Sequence, residues 1–431
     1  MSSIAAASAR LWPLLLILAV LVLLPVGRSA ELPLAVGAFL ALVALAQRRI
    51  VLRDPSLRLI LMLFACYWLA AVLSGIAAID PGKTWSTVGV TLRFLPFALF
   101  VLWALRSPSK WTGMIAAIAV VVALWVLDAY VQMLTGYSLG GAAEAERVSG
   151  IFGAGNLKLG PVLAVLSPFV LLAARERYGT RAMAISFVLL VPPILLAGSR
   201  AAWLAYALVG VLIAWHETRD PRRLVTTLAV FAIGIGALGV LAWHDSARFG
   251  ARIERSLLAL RGTEVAVDEA SAGRLRIWHT ALEMSVAHPL TGVGVRGFRY
   301  AYPHYAENGD RFVDPTTHTG AAHAHQIVLE VLSETGVFGL LLWITGAWLA
   351  LRAWRRADAS ARQRAFAPGL ALVAMCFPIN THLAFYSAWW GLLFWWLLAL
   401  YCAALGASDS DGDSHSGSAG GAGAAGIRSI G

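Results

Sequence analysis

Residues 181–216 read RAMAISFVLLVPPILLAGSRAAWLAYALVGVLIAWH. Two apolar runs, 181–198 and 200–216, meet at Gly198-Ser199-Arg200, which leaves room only for a tight turn. Each run approaches the roughly 20 residues a helix needs to cross the hydrocarbon of a bilayer. The pair reads as a transmembrane hairpin. The arginine at its tip then needs explaining, because a charge at membrane depth costs about 2.5–3.5 kcal/mol on insertion scales.

The rest of the chain agrees with this hairpin. Of its 431 residues, 59% are hydrophobic and 13% charged, against about 25% charged in a soluble domain. Twelve stretches qualify as spans: 11–26, 31–47, 57–78, 87–105, 111–133, 159–174, 181–198, 200–216, 224–243, 334–353, 366–386 and 389–406. The first resembles a signal peptide, but a second apolar run follows at once, so it reads as a retained span. Arginines and lysines concentrate in alternate loops: Arg48, Arg49, Arg53 and Arg58; Arg106 and Lys110; Arg175, Arg177 and Arg181; Arg219, Arg222 and Arg223; Arg352 to Arg364. The positive-inside rule puts these loops and both termini in the cytoplasm. The expected architecture is an all-α polytopic membrane protein. It has transmembrane helices over 1–243, a large helical periplasmic loop at 244–333, further spans over 334–406 and a disordered Gly/Ser-rich tail at 407–431.

The pI near 9.9 does not point to nucleic acid, because the charges lie in short loops and form no single patch. Cys66, Cys376 and Cys402 fall in apolar runs without metal-ligand spacing. Gly82-Lys83-Thr84 lacks the upstream glycine of a P-loop. Asp409, Asp411 and Asp413 lack the glycine and glutamate positions of a calcium loop. The tryptophans 389, 390, 395 and 396 read as interfacial belt and packing.

Of the cations on the non-cytoplasmic side, five need explaining most: Arg93 inside the fourth span, Lys158 at the start of the sixth, Arg200 in the hairpin tip, and Arg274 and Arg276 in the long loop. Snorkelling to headgroups is the other reading for Arg93, and a solvated face for Arg276. Drawn at 100° per residue, the helix from Gly273 to Ala287 gathers Leu275, Ile277, Trp278, Ala281, Leu282, Met284 and Val286 on one arc. Arg276, His279, Thr280 and Glu283 fill the other. Arg274 points into the apolar arc, a costly place for a cation unless an anion meets it. Ser271 is the expected N-cap. Arginines at headgroup depth suit phosphate oxygens, and a lipid pyrophosphate fits.

The loop closes with Thr316-Thr-His318-Thr-Gly-Ala-Ala-His323-Ala-His325-Gln326. No acid or cysteine stands at a spacing that makes His323 and His325 metal ligands. Histidine titrates near neutrality, so either can serve as a general base toward a hydroxyl. His382, at the outer end of the eleventh span, is a weaker candidate.

Taken together, Ser271-Ala-Gly-Arg274-Leu-Arg-Ile-Trp278, His288-Pro-Leu-Thr-Gly292-Val-Gly294, His323-Ala-His325-Gln326 and Glu334-Thr-Gly336-Val-Phe-Gly339 resemble the O-antigen ligase and polymerase family (the WaaL/Wzy group). Arg147-Val-Ser-Gly150 through Asn156 is similar to a looser pattern of the same family. Gln326 stands where the family carries asparagine. His325, which immediately precedes that amide, matches the catalytic position best, with His323 second. The resemblance implies a GT-C-like membrane fold at the bacterial inner membrane. It implies a glycan donor carried on undecaprenyl pyrophosphate and, as acceptor, the outer core sugar of lipid A–core. With Arg200 and Arg274 on the pyrophosphate, and Arg276, Lys158 and Arg93 behind them, His325 would deprotonate the attacking hydroxyl in one inverting displacement, with neither metal nor cofactor. A polymerase, a protein O-oligosaccharyltransferase and a transporter of lipid-linked sugars or anions are the competing readings.

Overall fold

A computed structural model describes residues 2–48, 50, 55–144, 147–226, 229, 236, 273–378 and 384–407, with side chains from residue 11 onward. The tail beyond Ala407, the loop segment 244–272, Ser271, His382 and most of the stretch 224–243 lie outside the described residues.

Apolar runs become helices because a backbone in lipid must satisfy its own hydrogen bonds. In chain order these are α1 (Ser2–Val22), α2 (Glu31–Ala46), α3 (Pro55–Ser74), α4 (Pro81–Thr91), α5 (Phe94–Ala104) and α6 (Pro108–Thr135). They continue with α7 (Leu159–Tyr178), α8 (Thr180–Leu196), α9 (Arg200–Thr218), α10 (Arg274–Ala287) and α11 (Phe298–Tyr305). The last three are α12 (Ile327–Arg356), α13 (Ala359–Met375) and α14 (Ala388–Gly406). Among the described residues, seven segments are long and apolar enough to cross a membrane, with α4 and α5 acting as one, and α2, α8 and residues 11–22 of α1 are shorter apolar helices. The protein is a polytopic helical membrane protein.

Several boundaries differ from the sequence reading, each for a local reason. The fourth span starts six residues early, at Pro81, because Asp80 accepts the Lys83 N–H at 2.9 Å and caps α4 with proline at its first position. This also accounts for Gly82-Lys83-Thr84, a helix start rather than a phosphate loop. The tenth span starts at Ile327, not 334, and the eleventh covers Ala359–Met375, not 366–386. Arg364 is tolerated inside α13 because its guanidinium donates to the carbonyls of Ala404 (3.2 Å) and Ala407 (2.7 Å). The loop after α6 carries a small antiparallel hairpin, β1 (Tyr137–Ser138) and β2 (Gly141–Ala142), so the fold is not strictly all-α.

Helix α14 is the hub. Trp395 and Trp396 are fully buried, and α14 packs on α3, α5 and α13. The Trp396 indole N–H finds the Ile17 carbonyl at 3.0 Å, and that of Trp389 finds Leu24 at 3.1 Å. Most of the tryptophan cluster is therefore packing. Around this hub α12 lies along α3, while α7 joins α6, α8, α9 and α13. At the end of the bundle where α3 stops and α4, α9 and α12 start, residues 273–326 fold into a cap with its own small core.

Candidate functional site

The cap is joined to the bundle through a break in α12. At Gly336 the backbone takes φ 66°, ψ −168°, a region that is essentially glycine-only. The break frees backbone groups, and the His288–Phe298 turn uses them. Val293 N–H donates to Ser333 O (2.9 Å) and Gly294 N–H to Glu334 O (3.0 Å). In return Val337 N–H donates to Pro289 O (2.8 Å) and Phe338 N–H to Leu290 O (3.3 Å). The strands approach so closely that a Cβ on Gly292 would strike the Glu334 backbone, and one on Gly336 the Leu290 backbone. The same turn reaches the end of α3 and the start of α4: Ile79 N–H donates to Val293 O, and Val295 N–H to the Ser74 hydroxyl. The glycine pattern Pro289-Leu-Thr-Gly292-Val-Gly294 is thus a docking device.

Two buried carboxyl groups on α12 complete this joint. Glu334 Oε2 accepts the Arg296 N–H at 2.9 Å, holding a residue whose own φ is +62°. Glu330 Oε1, one turn earlier, accepts the Phe385 N–H at 2.7 Å. Both side chains are fully buried. The sequence reading quoted Glu334 only as part of a motif and passed over Glu330, although ionisable residues four apart at the start of an apolar helix were the available signal. It also passed over Asp128 and Gln132 in α6. There Gln132 accepts the N–H groups of Ser149 (2.9 Å) and Gly150 (2.8 Å), and Asp128 that of Leu139 (2.7 Å). Gln132 anchors the Arg147–Asn156 segment and Asp128 the turn between β1 and β2.

Helix α10 sits in the cap with Ile277, Thr280, Ala281, Met284 and Ser285 buried. Thr280, expected on the polar arc, is inside, whereas Leu282 and Val286, expected on the apolar arc, are exposed. The helix begins at Arg274, with Gly273 in the cap position. Its buried stripe shares one core with Ala321 and Ala324, so the Arg274 helix and the histidine segment are built on the same packing. Ala324 is fully buried, which holds its neighbours His323 and His325 at the rim with ring centroids 3.9 Å apart. His325 adopts φ +55°, uncommon for a residue with a Cβ and frequent where geometry serves a site. Gln326 then caps α12, its Oε1 accepting the Leu329 N–H at 2.6 Å. The amide after the histidine is thus an N-cap, a role asparagine fills equally well.

Arg200 is the first residue of α9, behind a Ser199 N-cap. Arg274 lies close enough to feel its charge: burial first, and the Arg200 guanidinium second, pull Arg274 down to about 10. Among the described residues no carboxylate pairs with Arg274. Two guanidinium groups from distant parts of the chain thus come within each other's electrostatic field.

The other expected cations are placed differently. Arg93 sits at the break between α4 and α5, donating to Glu31 Oε1 at 2.7 Å and to Val90 O at 2.8 Å. Lys158 lies with its Nζ 4.3 Å from the Trp389 ring centre, and burial lowers its pKa. Arg276 is exposed on α10.

A bundle of apolar helices long enough to span a membrane, capped at one end by a small domain that carries Arg274 and a histidine pair on one core, defines a polytopic membrane protein. Residues 185–344 match the family model described as O-antigen ligase. The match takes in Arg200, the cap, both histidines and the break in α12; Arg93 and Lys158 fall outside it. No curated protein matches the chain.

Proposed function

We propose that the protein is an O-antigen ligase. It transfers a glycan from undecaprenyl pyrophosphate to the outer core sugar of lipid A–core, on the periplasmic side of the bacterial inner membrane. The proposal includes the twelve-span, GT-C-like topology, with both termini in the cytoplasm. The observation that carries it is the approach of Arg200 to a half-buried Arg274 that has no acidic partner among the described residues. A pyrophosphate leaving group gains negative charge as its bond to the anomeric carbon breaks. Fixed cations aimed at that charge lower the barrier.

His325 stands on the same small core as Arg274 and takes the proton of the acceptor hydroxyl, which attacks the anomeric carbon from the face opposite the pyrophosphate. The anomeric configuration inverts, and no protein nucleophile takes part. Two guanidinium groups do here what a divalent cation does elsewhere, so transfer proceeds in chelator. Arg276, Lys158 and Arg93 have lesser parts, since each is exposed or already engaged.

The test is reconstitution with purified lipid-linked glycan, offering lipid A–core and a second lipid-linked repeat as separate acceptors, with and without EDTA. Transfer to lipid A–core in EDTA is expected. Transfer only to the repeat makes the protein a polymerase, and loss in EDTA restored by a divalent ion removes the metal-free mechanism.

A further inference from the structure

Helix α10 has three sides, not two. Taking Arg274 as 0° and about 100° per residue, the buried residues centre near 300°. Arg276, His279 and Glu283 fall at about 140–200°. Between them, at about 80–120°, come Leu275, Leu282 and Val286. Leu282 is 49% exposed and Val286 76% exposed. A helix with one edge for protein, one for water and an exposed apolar edge between has a third neighbour to account for.

The apolar edge does not end with the helix. Leu290 follows it, 58% exposed, and its carbonyl accepts the Phe338 N–H of α12. From Phe338 an exposed apolar stripe runs down α12 through Leu341, Ile344 and Trp348. Helix α12 is one of the segments long and apolar enough to span, so that stripe faces lipid. The apolar edge of α10 thus leads, through Leu290 and its backbone bond to Phe338, to the lipid-facing stripe of α12.

We infer that α10 is an interfacial helix: Leu282, Val286 and Leu290 lie in the outer leaflet of the bilayer that surrounds α12, while Arg276, His279 and Glu283 face water. Helices of this kind bury their apolar edge about 5–10 Å into the headgroup–acyl boundary. The occupant is the lipid surface itself, identified by the exposed apolar residues Leu282, Val286 and Leu290 and the backbone bond that ties Leu290 to a spanning helix. If the glycan-transfer reading holds, the consequence is positional. Arg274, at about 0° within the protein edge and on its side toward the lipid edge, is held at headgroup depth, where a lipid-borne pyrophosphate travels.

The experiment needs no glycan transfer, so it stands or falls separately from the proposed activity. Nitroxide labels are placed on the full chain in phospholipid nanodiscs as Leu282→Cys, Val286→Cys and, on the polar edge, Glu283→Cys, with the three native cysteines replaced by alanine. Oxygen should relax the labels at 282 and 286 more than an aqueous nickel chelate does, with the ratio reversed at 283. Nickel-dominated relaxation at all three would mean α10 stands clear of the bilayer. Shielding of 282 and 286 from both reagents would mean a protein partner or a second copy covers the edge. Either result overturns the inference.

The unsubstituted protein provides a second reading. A phospholipid carrying a diazirine on its acyl chain should mark the peptide 275–290 as well as α12. Adducts on Leu341 and Trp348 with none on Leu282 or Val286 would also overturn it.

Discussion

Replacing Gly336 by alanine tests the claim that the cap is held by a break in a spanning helix. Residue 336 has φ 66° and ψ −168°, and a side chain forced into such a region costs about 1–3 kcal/mol. The new Cβ also meets the Leu290 backbone. The turn must therefore retreat, releasing the bonds from Val337 and Phe338, each worth about 0.5–1.5 kcal/mol. The sum is about 2–6 kcal/mol, a large part of the 5–15 kcal/mol that typically holds a native fold. Withdrawal of the turn shifts Arg274 against His325, and about 1 Å of misplacement can lower a rate on the order of 100-fold. The assay is glycan transfer together with unfolding in detergent, with Gly346→Ala as the control. On the same helix, a Cβ at Gly346 meets Cys66 Cβ at 3.7 Å, an ordinary contact, so that variant should behave as wild type. Wild-type transfer and unfolding by Gly336→Ala would refute the docking argument.

Arg200→Ala and Arg274→Ala should each lower the transfer rate by about 100- to 1000-fold, with the lysine variants in between because charge survives and bidentate geometry does not; wild-type rates for both alanine variants would remove the clamp. Because Arg274 is pulled down to about 10, its charge is lost as pH rises through that value. Calorimetry should therefore find inorganic pyrophosphate binding more weakly at about pH 11 than at about pH 9, a difference that Arg274→Ala should abolish. Arg93→Ala breaks a partly exposed pair with Glu31, for an expected loss of about 1 kcal/mol; steady-state kinetics should show donor KM nearly unchanged, and a large rise would return Arg93 to the anion site.

The sequence alone determined the membrane class and the residue types of the site. Span length and loop charge are local properties, read a window at a time, and a cation on the outer side stands out wherever it ends up. Arg200, Arg274 and the histidine pair could be singled out for that reason. What separates them along the chain is only closed by tertiary structure. Nothing local says that residues 200 and 274 share an electrostatic field, or that Ala324 and Met284 share a core. The division of α10's apolar arc into a protein edge and an exposed edge follows from which neighbours pack on it, and periodicity is blind to that. The same holds for Gly336. Its letter is an ordinary glycine in an apolar run, and its function exists only because a turn from more than forty residues away needs the carbonyls that a regular helix would keep for itself.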